Sequence, residues 1–384
     1  MMKTIFKAAA IAATLCVAAA DGAGAAQTSI GTVSVPSGYS ITGWSDDTFI
    51  TTSECPGKDP SYAPLVLYFL GNEGMLDVPD LTADANKTLR GQVDNLGKRL
   101  GQLCVRMITI VGNSHYLTGV SSTATPEGRL SFGAQNVHDV IDKILNFYKR
   151  TDKTLPRYAY LGGSAGALFG AKMIDIYPLV DTDPVLANLA RALLVAGPAG
   201  GNAYESCTHS TQGSLVRQVS SSLFDKRCDG VTQPANSNHL TTPWANEAIM
   251  SDKTTNVAYF VNKTDNFNKF VNSGRPINIA VGTADDIFGP SSSTVWTGPQ
   301  YITAFLKSVN LATDLTTSCT TPAYNAALGS EKCSYFPLNG ATHSNIWDQT
   351  NPNFMFGLCQ LIAYTRYPNP YWTQATRDAK CTTP

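Results

Sequence analysis

Six short apolar runs punctuate the chain, each leading into residues that turn it. Residues 65–70 (LVLYFL) and 105–111 (VRMITIV) are continuous apolar stretches that run into Gly and Asn, as expected of strands buried on both faces of a parallel sheet. Residues 158–161, 192–196, 276–281 and 333–338 extend the series. The segments between them change period. Residues 88–103 have helical spacing, and Val137, Val140, Ile141, Ile144, Leu145 and Tyr148 recur at intervals of three and four, which draws one apolar stripe along a helix. Ser131 is the expected cap of that helix. Residues 165–176 predict a helix stopped by Pro178, and residues 354–364 a closing one. Strands alternating with helices predict an α/β fold, a mostly parallel sheet flanked by helices. Ahead of it, residues 28–57 alternate polar and β-branched positions among turn formers, which predicts short strands or an ordered N-terminal extension.

Two regions break the rhythm. Residues 201–274 are rich in Ser, Asn and Thr and sustain neither period; they read as a cap inserted above the sheet, the alternative being a long surface excursion pinned by a disulfide. Residues 1–26 carry Lys3 and Lys7, then an apolar run, then Ala23, Gly24, Ala25 and Ala26, the pattern of a secretory signal peptide. The expected mature chain, residues 27–384, is one catalytic domain that is secreted or periplasmic; cleavage after Ala20 is the alternative. An anchor at Cys16 is disfavoured because Leu15 occupies a position where such signals use a small residue. No run reaches the roughly 20 apolar residues that span a bilayer, so no transmembrane segment is expected.

Composition narrows the class. At 43% apolar and 15% charged, the chain is too hydrophobic for disorder and too polar for a multi-span membrane protein. Lys and Arg (28) nearly balance Asp and Glu (29), so no cationic field draws it to nucleic acid. Without the leader, eight cysteines remain: Cys55, Cys104, Cys207, Cys228, Cys319, Cys333, Cys359 and Cys381. An even set in an exported chain predicts disulfides. Short separations favour Cys207 with Cys228, Cys319 with Cys333 and Cys359 with Cys381, leaving Cys55 for Cys104. No CxxC pair supports structural zinc, and no metal or other cofactor is expected. Asn86 and Asn262 begin glycosylation sequons.

The chemistry centres on Gly162-Gly163-Ser164-Ala165-Gly166, between an apolar strand and a helix. Such a turn lifts a serine hydroxyl above the sheet edge, with small neighbours clearing the crossing. The competing account is a tight turn that merely needs glycine. A dinucleotide-binding turn would need glycine where Ser164 stands. A serine hydroxyl needs an imidazole to take its proton and a carboxylate to orient that imidazole. Asp285, in Gly282-Thr283-Ala284-Asp285-Asp286 after the run at 276–281, is the expected acid, with Asp286 the alternative and a solvated turn aspartate the bland account. His343, in Gly340-Ala341-Thr342-His343, is the expected base. Of the other histidines, His138 is read as solvent-facing on its helix, His115 as core or loop packing with a place lining the cleft as the alternative, and His209 and His239 as surface positions in the cap with substrate contact as the alternative. The backbone amides of Ala165 and, from the Gly71-Asn72-Glu73-Gly74 loop, Asn72 are the expected oxyanion donors.

Taken together, G-G-S-A-G, G-T-A-D-D and G-A-T-H in that order resemble the α/β-hydrolase superfamily over approximately residues 60–365. The resemblance implies an eight-stranded, mostly parallel sheet, a Ser, Asp, His triad and no metal. More faintly, the chain is similar to pectin acetylesterases and Notum-type carboxylesterases, which also enter the preceding helix through a turn like Leu130-Ser131-Phe132-Gly133. Asn72 and Glu73 interrupt the glycine run of that branch, and Ala167 replaces one of its glycines. Secreted polyester depolymerases share the superfamily features. The expected function is hydrolysis of a carboxylic ester by an acyl-enzyme route, on an extracellular, polymeric substrate such as an acylated polysaccharide or a polyester; the alternatives are a secreted serine peptidase and a non-catalytic binding protein on the same scaffold. Oligomeric state is not legible.

Overall fold

Aromatic, aliphatic and β-branched side chains favour extended backbone when both faces of the strand are covered, and the apolar runs meet that condition. A computed structural model describes residues 28–34, 40–46, 63–71, 87–112, 126–196, 277–282, 335–338 and 352–362, together with positions 266, 269, 270, 273, 275, 284, 340–342 and 347. The runs become β3 (Leu65–Phe69), β4 (Arg106–Gly112), β5 (Tyr158–Gly163), β6 (Leu189–Val195), β7 (Ile277–Gly282) and β8 (Tyr335–Leu338). Every residue of β3, β5 and β6 is buried. The polar N-terminal alternation forms β1 (Thr28–Ser34) and β2 (Ser40–Asp46).

All eight make one sheet in the order β1-β2-β4-β3-β5-β6-β7-β8. Pairing is parallel among β3 to β8. The β1–β2 hairpin is antiparallel and adds to β4 in the same sense. With helices on both faces and a serine elbow after β5, this is the α/β-hydrolase fold.

Helices α1 (Lys87–Gln102) and α5 (Pro352–Ile362) cover one face, where Val93, Leu96 and Leu100 meet Val66, Tyr68, Leu161, Leu193 and Val195 together with Phe354 and Leu358. The opposite face carries Phe69 and Tyr160, stacked at 4.9 Å. There α3 (Ala165–Ile176) brings Gly170 against the Tyr160 ring, and its Phe169 lies against Gly133 of α2 (Pro126–Phe147). Burial of each such aliphatic or aromatic side chain contributes about 1.5–3 kcal/mol.

Three expectations change. The stripe helix α2 begins at Pro126, so Ser131 lies inside it and does not cap it; proline suits a first helical position because its missing N–H has no partner to lose there. A five-residue helix, α4 (Pro184–Asn188), precedes β6 and was not foreseen, being too short to show a period; Asp183 caps it by accepting from the N–H groups of Val185 and Leu186. His138 does not face solvent. Its side chain is 15% exposed, its Nε2 lies 3.2 Å from both carboxylate oxygens of Asp183, and its ring stacks on Tyr177 at 4.0 Å. The return from α3 to α4 covers that side of α2. The leader and most of the expected cap, residues 201–274, lie outside the described residues. Among the described residues, no helix is long and apolar enough to cross a membrane.

Candidate active site

Strand β5 runs straight through Gly162 and Gly163 and gives way at once to α3, with Ser164 as the single residue between. Ser164 adopts φ 48° and ψ −111°, a conformation that costs an L-residue of order 1–3 kcal/mol. Its N–H donates to the carbonyl of Val195 at 2.8 Å, which fastens the elbow to the end of β6. The residue is 7% exposed, and its side chain makes no capping bond to α3. A serine before a helix ordinarily earns its place by capping; this one does not.

The glycines of the motif serve space, not backbone freedom. Among the described residues, the only glycine at positive φ is Gly340, so the left-handed position of the elbow belongs to the serine. A Cβ on Gly162 would stand 2.7 Å from the amide nitrogen of Ala167 and from the Tyr160 ring. One on Gly166 would fall on the carbonyl oxygen of Phe69, with that of Leu70 at 2.8 Å. One on Gly163 would fall on the indole edge of Trp347. A turn that merely needed glycine would put it at residue 164, where the strain is. Tyr160 then secures the crossing by donating its hydroxyl to the Gly166 carbonyl at 2.6 Å.

Parallel strands deliver their C-terminal ends to one rim, and open α/β sheets gather their reactive groups there. Along that rim the loops are laced together. Ala196, at φ 50°, donates from its N–H to the Ala280 carbonyl at 2.7 Å, and Ala284 donates to the Ala341 carbonyl at 3.1 Å. The Ala341 carbonyl also fills the place a Cβ on Gly282 would take. Ala341 is buried, Thr342 half-buried and Gly340 exposed at φ 73°.

Of the residues predicted from sequence, Ser164 sits at the elbow and Ala165 opens α3. The N–H of Ala165, in the first turn, has no acceptor within the helix and lies at the positive end of its dipole. Asn72, Asp285, Asp286 and His343 lie outside the described residues, but their neighbours are inside: Gly71 ends the stretch after β3, Ala284 immediately precedes Asp285, and Thr342 immediately precedes His343. Of the cysteines, Cys104 and Cys359 are described, and both are buried. No group of His, Cys, Asp or Glu among the described residues could hold a metal ion. Trp347 was not foreseen. Its ring packs between Tyr68 at 5.0 Å and Phe354 at 5.6 Å, with its edge on Gly163; an aromatic residue four positions beyond the candidate base was the only hint.

No protein-family model matches the chain, and no curated protein does either. Solved structures to which it is similar include carboxyl esterase 2 from the mycorrhizal fungus Tuber melanosporum, at 13% identity over 88% of each chain with a TM-score of 0.48. Est1E from Butyrivibrio proteoclasticus is 13% identical over 87% of this chain and 99% of its own, with a TM-score of 0.40. A ferulic acid esterase is 10% identical over 89% and 99%, with a TM-score of 0.45.

Proposed function

We propose that the chain is an exported serine hydrolase of carboxylic esters that works through Ser164. The observation that carries this reading is the strained backbone of Ser164 at the strand–helix crossing: a costly conformation is kept at a residue whose hydroxyl does no capping, and strain of that kind collects at reactive positions. In the proposed reaction the Ser164 Oγ attacks the acyl carbon while His343 accepts the hydroxyl proton. Asp285, or Asp286 beside it, orients the imidazole and stabilises its charge. The amides of Ala165 and Asn72 hold the oxyanion. The tetrahedral intermediate collapses, His343 returns the proton to the leaving alkoxide, and an acyl-enzyme remains. Water, deprotonated by His343, then releases the acid and restores Ser164.

The laced rim supports this assignment of partners. Ala284, next to Asp285, is bonded to Ala341, and His343 follows Ala341 by two residues, a covalent reach of at most about 7 Å. Gly166 abuts the carbonyls of Phe69 and Leu70, so the loop that leads to Asn72 departs beside the elbow. Cys104 and Cys359 are each disulfide-bonded, which supports an oxidising compartment and hence the leader at residues 1–26. Export suits an extracellular ester, either acyl groups on a polysaccharide or the backbone of a polyester.

A fluorophosphonate probe tests the reading. The mature wild-type protein is expected to label, and Ser164→Ala to lose labelling while remaining folded; a wild type that does not label would leave a binding protein on this scaffold. A panel of p-nitrophenyl esters of graded acyl length, acetylated polysaccharide, polyester film and peptide amides then identifies the substrate. Turnover of peptides above esters would make it a peptidase. The kcat/KM profile is expected to rise through the imidazole range near ~6.5 as His343 becomes a free base.

A further inference from the structure

We infer that Trp347 is a positioning residue for the base: its indole, seated on Gly163, holds the segment that carries His343 against the serine elbow. The inference rests on the Ser164, Asp285, His343 reading above.

Ala341 and Trp347, which flank His343 in the sequence, are both anchored. On the upstream side Ala341 is buried, donates from its N–H to the Leu338 carbonyl at 3.1 Å, and accepts from Ala284 at 3.1 Å. That anchor ties the end of β8 to the loop in which Asp285 comes next. On the downstream side stands Trp347. Tyr68, from β3, meets its ring at 5.0 Å with the planes inclined by 58°, and Phe354, from the first turn of α5, meets it edge-on at 5.6 Å and 84°. Both partners belong to the buried core against which Trp347 packs.

The third contact goes beyond core packing. The indole edge occupies the space that a side chain on Gly163 would need, and Gly163 is bonded directly to Ser164. Trp347 thus joins three elements at one point, and two of them, β3 and β5, lead into other parts of the proposed site. A ring of this size buries a large area with few rotatable bonds, which makes it a stiff spacer. Chain reach keeps His343 within about 14 Å of Trp347 and about 7 Å of Ala341, so shortening or removing the indole changes where the base can stand relative to Ser164.

Three variants test this in the mature full-length protein. Trp347→Ala is expected to lower kcat on p-nitrophenyl acetate, and the rate of fluorophosphonate labelling with it, by about 10- to 100-fold, because roughly an ångström of misplacement at a reacting group has that cost. KM should stay within about threefold, since the serine and its oxyanion donors are untouched. The midpoint of the kcat/KM profile should move to lower pH as the imidazole loses its hold on the carboxylate. Trp347→Phe keeps the Tyr68 and Phe354 contacts but shortens the reach to Gly163, and should fall between wild type and alanine. Gly163→Ala should reproduce the defect by displacing the ring, and adding Trp347→Phe to it should recover activity, because the smaller ring leaves room for the methyl. Where Trp347→Ala does not fold, the phenylalanine and Gly163 variants carry the test. Folded variants with wild-type kcat and an unshifted pH profile would overturn the inference, as would losses that merely follow melting temperature. Retained labelling in Ser164→Ala or His343→Ala would instead overturn the triad itself; loss of labelling in both, with unaltered Trp347 variants, would overturn only the role given to the tryptophan.

Discussion

At the scale of the residue, the molecule concentrates its cost at Ser164. Among the described residues, the other positive-φ residues that carry a side chain are Cys104 and Ala196, just past α1 and β6, and Lys153, in the turn between α2 and β5; Ser164 alone of these sits between a buried strand and the helix that follows it without a break. Its conformation separates what the side chain does from what the backbone needs. Alanine removes the hydroxyl and keeps the strain, whereas glycine removes both. On the proposed function both variants are expected to be inactive toward esters, with Ser164→Gly more stable than Ser164→Ala by about 1 kcal/mol, read as a higher urea midpoint at equal slope. Equal midpoints for the two would mean that the elbow holds no strain for glycine to relieve.

At the scale of elements, the contact between α2 and the α3–α4 turn is electrostatic and depends on pH. Burial pulls the imidazole pKa of His138 down, but the hydrogen bond and charge of Asp183, followed by those of Asp139, more than offset it and leave it above the ordinary 6.5. Burial likewise pushes Asp183 up, yet the His138 bond and the N–H groups of Leu186 and Val185 hold it below the ordinary 3.8. Tyr177, pushed up to about 12 by burial and then by Asp139 and Asp183, stays neutral beneath the ring. A histidine whose pKa rises on folding contributes stability that is complete below its unfolded value and fades as pH climbs through the folded one; for Asp183 the contribution is present above its unfolded value and fades as pH falls through the folded one. The pair therefore works best between about pH 4 and about pH 6.5. His138→Gln should destabilise by about 1–2 kcal/mol more at pH 5.5 than at pH 9, followed by urea unfolding at the two values; a difference that does not change with pH would remove the ion pair from the account. The strands were legible because they are apolar on both faces, and the elbow because its glycines and serine are contiguous. His138 was misread because the segment that covers it arrives from 45 residues away, and a helical stripe says nothing about what will lie on its polar side. Trp347 was illegible for the same reason, since its partners come from β3, β5 and α5.

At the scale of the whole molecule, the rim and the sheet edge are separate problems with separate solutions. The laced loops occupy the C-terminal ends of β5 to β8, while the N-terminal hairpin pairs only with β4 along Ile41–Asp46 and Met107–Gly112, and β3 stands between β4 and β5. The hairpin's part is to close an edge. Met107, Ile108 and Ile110 are buried, and without β2 their strand would offer an apolar edge of unpaired N–H and C=O groups, the kind of surface on which chains pair with one another. A chain of residues 48–384 is accordingly expected to form dimers or larger species at micromolar concentration, seen by size exclusion with light scattering, where residues 27–384 elute smaller. Strands β5 to β8 keep their neighbours, so the proposed ester turnover per folded chain should stay within about threefold. Self-association together with retained turnover would place the hairpin as an edge cover alone. A truncated chain that stays the size of the intact one would show that β4 has no need of it, and loss of turnover without self-association would show that the hairpin holds the rim in shape through β4 and β3.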